Sequence, residues 1–309
     1  MKRTDKTLPL IPLILLFVFP GIFFTDKAWG EDPGDIRPSV LAGTWYPGDR
    51  ETLLETVNSF LSGVSPTPSP GKEIKGVLVP HAGYRYSGRI AAFAYRALVG
   101  AGFRRVVLIG PSHRYPFRGV SVNLQGGYQT PLGVVPVDVE LGRRLAGTSP
   151  IIRWVPRAHA AEHSLEIQLP FLQRVLGEFQ IVPVLMGEQD LETCMELAGS
   201  LVKVLGSGEG TLLLVSSDLS HFHPAKEAEV LDGVFIRHVK AFDPKALARA
   251  LGSGECEACG GGPVVAVMMA AGELGAVRSE ILCHGHSGQV TGDFRRVVGY
   301  LSALFLAGE

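Results

Sequence analysis

With only four cysteines in 309 residues, Cys194, Cys256, Cys259 and Cys283, the chain has too few to staple a small disulfide scaffold. A chain of this length must instead rest on a buried core, and 46% hydrophobic residues supply one. An excess of either charge is also missing. Its 29 basic residues balance 30 acidic ones, which removes the global pull toward nucleic acid or an anionic membrane surface. Several catalytic signatures are absent: there is no G-x-S-x-G elbow, no Walker loop and no H-E-x-x-H. The glycine-rich "HAGYRYSG" at 81–88 is not G-x-G-x-x-G, so nucleotide binding has little support. A small-molecule or peptide ligand is the expected partner.

Residues 1–30 form a separate unit. Lys2, Arg3 and Lys6 precede the apolar run 8–24, and Ala28-Trp29-Gly30 then offers small residues in a cleavage-like pattern. This reads as an export signal, leaving 31–309 as the mature domain in the periplasm or outside the cell. Pro12 and Pro20 within a short run disfavour a membrane-spanning helix, with an uncleaved N-terminal anchor as the alternative.

Past the signal, Asp49 is placed to cap a helix whose apolar positions Leu53, Leu54, Val57, Phe60 and Leu61 share a face. A proline-rich connector, "VSPTPSPGK", follows. From there β-like runs at 76–79, 105–109, 180–185, 211–215 and 296–305 alternate with helical patterns at 88–99, 164–176, 191–205, 225–241 and 263–274. That alternation predicts one α/β domain with a mainly parallel sheet flanked by helices. The stretch 119–138 reads as a β-hairpin, which makes the sheet mixed.

Three apolar runs end alike, each passing through small or polar residues to a histidine: "GVLVPH" (His81), "VVLIGPSH" (His113) and "LLLVSSDLSH" (His221). Ligands in open α/β sheets bind beyond the carboxyl ends of the strands, so the three are placed to converge. One such histidine alone is more often a loop residue bonded to a carbonyl. A metal centre needs a further donor, and Asp218, Glu166 and Cys259 are the candidates. Cys259 precedes a helix whose N-terminal dipole is expected to lower the thiol pKa; a disulfide to Cys256 is the competing reading. Asp218, three residues before His221, is expected to fix its tautomer and make it a general acid/base. His163 and Glu166 at i,i+3 suggest a carboxylate orienting an imidazole, or both facing a cleft. Tyr84 and Arg114, beside His81 and His113, suit a peptide or anion in the same crevice. His159 and His238 read as surface residues, and Cys283, His284 and His286 as remote candidates for ligation.

Taken in order, "AGTWYPGD", "VPHAGYRYSG", "LIGPSHRYPFRGV", "TPLGVVPVD", "EHSLEIQLPFLQ", "SSDLSHF", "ACGGGP" and "SGQVTGDFRRVVGY" resemble the Memo family, which includes the AmmeMemoRadiSam system protein B. The resemblance covers nearly the whole mature chain. It implies a single α/β domain similar to class III extradiol dioxygenases, with His81, His113 and Cys259 as metal ligands and Asp218 and His221 close by. It further implies iron(II), or copper, and redox chemistry. A peptide-binding role is the alternative, as in the animal member, and the genomic label suggests a pathway shared with a radical-SAM protein. Cys259 stands where the dioxygenases use a carboxylate, so ring cleavage does not carry over and softer ions are admitted. Two histidines and a cysteine with an open position would also suit a zinc hydrolase.

Overall fold

A computed structural model describes residues 35–65 and 74–308. Residues 1–30, read above as an export signal, and most of the connector 64–72 lie outside the described residues. The strands, in chain order, are β1 (Ile36–Arg37), β2 (Ile74–Val79), β3 (Arg105–Pro111), β4 (Val120–Val122), β5 (Gly127–Thr130), β6 (Gly133–Pro136), β7 (Ile152–Arg153), β8 (Gln180–Met186), β9 (Thr211–Ser216), β10 (His221–His223), β11 (Ala276–His286) and β12 (Val297–Ala307).

Four of them, β2-β9-β3-β8, run parallel side by side and form the centre of the main sheet. β12 closes one side antiparallel to β2, and β4 closes the other antiparallel to β8. The sheet is therefore mixed around a parallel core. Alternation along the central strands sorts their side chains onto two faces. Val77, Val79, Leu212 and Leu214 join one core with Ala92, Tyr95 and Leu98 from the helix Tyr84–Ala97 and its cap. Leu78, Leu213 and Val215 join the other, with Val264 and Val267 of the helix Gly261–Glu273. Every β9 residue is buried, as a parallel strand covered on both faces requires. Each such Leu or Val contributes about 1.5–3 kcal/mol of burial.

All five expected strands form, and Asp49 caps the helix Arg50–Ser62 by accepting from the Thr52 N–H. Two expectations need correction. The stretch 119–138 is only half a hairpin: β5 and β6 pair antiparallel in a small sheet with β1, while β4 joins the main sheet. The segment 164–176 is not one helix but two, His163–Glu166 and Leu169–Leu176. Pro170 has no N–H for the Glu166 carbonyl, and the Gln168 side chain bonds outward to the strand ends, so the chain breaks there. A further strand, β11, forms because its half-exposed residues pair along almost all of β12.

Candidate metal centre

The paired ends of β2, β9 and β3 deliver His81, Asp218 and His113 to one crevice. The donor nitrogens of His81, His113 and His163 lie within 4.8 Å of one another. Ligands on one ion at about 2.0–2.1 Å sit roughly 4 Å or less apart, so small ring rotations bring the three into register.

What fixes each ring follows from hydrogen-bond accounting. The Ser216 hydroxyl donates its single proton to the Ser164 carbonyl at 2.6 Å, so toward His81 it can only accept. His81 therefore donates from Nδ1 to Ser216 Oγ, at 2.9 Å, and presents a bare Nε2 to the crevice. His81 is buried, and its pKa lies well below the ordinary value because of that burial and the neighbouring His113 and His163. It stays neutral, as a ligand must. His113 donates from Nδ1 to Glu162 Oε1 at 2.9 Å, and its backbone N–H bonds the other carboxylate oxygen at 2.6 Å. Glu162 also caps the His163 helix, accepting from the N–H groups of His163 and Ser164. Burial alone would raise the Glu162 carboxyl, but the His113 hydrogen bond and the flanking imidazoles and amides bring it down to about 2.

His163 is held mainly by packing. Its ring lies between Trp45, 4.6 Å away, and His113, 4.4 Å away. Its Nδ1 is 3.2 Å from Glu162 Oε1 but misaligned for a hydrogen bond, and it is buried without a partner. Burial pushes the His163 pKa down to about 4, with Arg114 and His113 adding to the effect. Arg114 itself is exposed at the rim.

Cys259 arrives just before the helix Gly261–Glu273. Its Sγ lies 3.0 Å from His81 Nε2 and accepts from the Asp218 N–H at 3.2 Å, but it stands outside the cluster of three imidazoles. The turn can sit this close only because the next residue lacks a side chain: a Cβ on Gly260 would fall 2.8 Å from the Ser216 carbonyl oxygen. The expected lowering of the thiol pKa does not occur. Burial, with Asp218 adding, pushes it up and outweighs the local amide hydrogen bonds. All four cysteines are free, so no Cys256–Cys259 disulfide competes.

Other expectations are revised. Asp218 does not orient His221: its Oδ1 accepts from the His81 N–H at 2.7 Å, while His221 Nδ1 donates to the Leu219 carbonyl at 2.7 Å. Burial raises the Asp218 pKa to about 7. Glu166 faces neither a cleft nor His163. Its buried carboxylate takes Arg37, at 2.5 Å, together with Ser39, Tyr46 and the N–H groups of Val40 and Leu41. Tyr84 is a core residue that donates to the Ile167 carbonyl. His159 is buried against Ser121 and Tyr128. His284 pairs with Asp232 and His223 with Glu257, outside the imidazole cluster.

Glu162, Ser216, Trp45 and Arg37 carry structural roles that motif reading passed over. The signal for Glu162 was its N-cap position in "EHS". Arg37 shows none, because its partners Glu166 and the carbonyls of His159 and Glu162 are more than 120 residues away.

Comparison with known proteins agrees with this architecture. The family model for Memo-like proteins matches residues 37–304. A MEMO1 family protein of Nitrosopumilus maritimus is 34% identical over 278 residues, spanning 88% of this chain and all of the relative. Relatives bearing the same name from Methanobrevibacter smithii and Sulfolobus acidocaldarius are 38% and 37% identical, each spanning 87% of this chain and 99% of their own. A match of that extent, over a mixed α/β domain like that of class III extradiol dioxygenases, makes this chain a member of the Memo family.

Proposed function

We propose that this chain is a mononuclear metal-dependent redox protein. His81 and His113 would anchor iron(II), or copper, Cys259 lies beside them, and His221 is placed to move a proton. One observation carries the reading: Ser216 and Glu162 grip both imidazoles from behind, leaving two Nε2 atoms facing one crevice. Bound there, the ion would supply one-electron or oxygen chemistry. Asp218 holds the His81 backbone, and the Leu219 carbonyl fixes the His221 ring with its Nε2 unpaired. The apolar run 8–24 supports an exported location for this chemistry.

The peptide-binding reading loses Tyr84 to the core and keeps Arg114 at the rim. Zinc in place of iron or copper would turn the reading toward hydrolysis.

Elemental analysis of anaerobically purified wild type, His81→Ala and His113→Ala tests the site. Stoichiometric metal in the wild type and its loss from both variants is expected, and the element found decides between redox and hydrolytic chemistry. Equal metal content in all three would sink the reading. Oxygen uptake with catechols and thiols then tests turnover, and His221→Ala should slow it by about 10²–10⁴-fold if the ring transfers a proton.

A further inference from the structure

His223, outside the imidazole cluster, has both ring nitrogens on carboxylates. Its Nε2 bonds Glu257 Oε2 at 2.9 Å, and its Nδ1 lies 3.0 Å from Glu227 Oε1. A neutral imidazole carries one proton, so its bare nitrogen would turn a lone pair toward a carboxylate oxygen. Only the imidazolium satisfies both contacts. The two carboxylates come from different elements: Glu227 from the first turn of the helix Ala225–Lys240, and Glu257 from the turn that leads to Cys259. His223 thus clasps β10 to both. What the clasp restrains is strained. Phe222, at the middle of β10, has a φ of +64°, a left-handed backbone that a bulky residue adopts only under constraint. Its ring is 59% exposed, so no core packing offsets that strain. β10 is the outermost strand of the main sheet, and its register against β12 breaks between His221 and His223. Backbone bonds anchor the chain at Leu219 and Ser220, both to Gly299, and again at Ala225 to Phe294. Between these anchors the arch 221–224 is held by that one bulged pairing and by the clasp.

We propose that β10 is a pH-sensitive latch: protonated His223 holds the strained arch 221–224 against the turn before Cys259, and loss of that proton releases the arch and with it the position of the His221 ring. The latch is independent of any bound ion. Among the described residues, the charged groups in contact with the His223 ring are Glu257 and Glu227, while Arg296 lies over the Phe222 ring at 5.2 Å. The hydrogen bond to Glu257, followed by the charge of both carboxylates, raises the His223 pKa above its ordinary value. A histidine raised by the fold adds stability that is complete below about pH 6.5 and is lost as pH rises through the raised value. The latch is therefore closed in mild acid and opens on the alkaline side. Glu257 also bears on His221: burial lowers the His221 pKa, and Glu257 works against that lowering. The clasp and the ring placed to move a proton thus share one carboxylate. Glu227 and Glu257 are 58% and 46% exposed, so the latch is weak, shifting the ratio of open to closed forms by about 2–5-fold and adding little to global stability.

The test follows amide hydrogen exchange of chelator-treated full-length protein by mass spectrometry from about pH 5.5 to 8.5, corrected for the intrinsic exchange rate, with His223 titrated by NMR in parallel. Segments 219–224 and 255–259 should lose about 2–5-fold in protection as pH rises through the His223 pKa, while β3 stays unchanged. His223→Gln should show the released level at every pH. Phe222→Asn, whose short polar side chain tolerates a left-handed backbone, should keep both segments protected on the alkaline side. Wild-type protection that ignores the His223 titration, or a wild-type profile in His223→Gln, would overturn the latch. A measured His223 pKa at or below about 6.5 would remove the clasp itself. Alkaline release persisting in Phe222→Asn would show that strain at Phe222 does not drive the opening, contrary to the proposal. The wild-type profile needs no variant to fold, and in chelator-treated protein the outcome stands apart from the metal reading.

Discussion

Side chains with the clearest consequence are those that grip the candidate ligands from behind. Glu162 serves His113 by ring and backbone and caps the His163 helix, so Glu162→Gln removes a charge-assisted bond without emptying the space. Metal affinity should fall about 10–100-fold while the fold survives, measured by chelator competition with circular dichroism as the control. Arg37 and Glu166 form an ion pair fully shielded from water. Removing Arg37 alone strands the carboxylate, so Arg37→Met should cost about 3–5 kcal/mol in urea unfolding, and adding Glu166→Met should recover only part of it, because Ser39, Tyr46 and the Val40 and Leu41 N–H groups lose their acceptor. An additive double variant would refute that coupling. At this scale the sequence revealed residue types and little geometry. His81 and His113 stood out because each follows an apolar run. Asp218 and Glu166 were legible as important carboxylates but were given the wrong partners. Asp218 and His221 lie on no helix, and His163 and Glu166, though on one short helix, turn to different partners, so a spacing of three recorded neither contact.

Elements place these side chains. β2, β3 and β9 end beside one another, so any change that shifts β9 moves Ser216 and Asp218 together. Leu214, buried at the middle of β9, belongs to a core that cannot collapse freely. Leu214→Ala should destabilise by about 2–5 kcal/mol in chemical denaturation. Gly260→Ala tests the turn that seats Cys259. The added methyl would press on the Ser216 carbonyl and the Ser217 side chain, costing about 1–3 kcal/mol in urea unfolding. An unfolding midpoint equal to that of the wild type would show that the turn yields without cost. Periodicity made the five buried strands readable, because hydrophobic runs bounded by turns have few other homes. It missed β11, where pairing with β12 overrides a polar sequence.

For the whole molecule, the buried titratable groups set a pH dependence. Folding holds His81, His159, His163 and His221 neutral, with burial the leading cause in each, taking His159 to about 3 and His163 to about 4. Unfolded histidines take up a proton near pH 6.5, so between there and about 4 the unfolded chain binds more protons and stability falls with pH. Asp218 opposes this. Its pKa, raised to about 7, favours the fold at low pH and weakens it as pH rises from about 4 to 7. Four groups against one give the sign. The urea midpoint of metal-free protein should be lower at pH 5 than at pH 7.5, and His159→Gln should narrow the gap. A midpoint that rises toward acid would contradict the burial of these rings.

The sequence by itself determined the α/β class, the family and the strand-end placement of His81, His113 and His221, since hydrophobic period and ordered motifs are local properties of a chain. Tertiary structure alone decided the company each residue keeps. It moved Tyr84 and His159 into the core, gave Asp218 to His81, and brought His163 to the metal crevice as a third imidazole. Those outcomes depend on contacts between segments dozens to more than a hundred residues apart, and no periodicity within a segment records which distant group will satisfy its buried polar atoms.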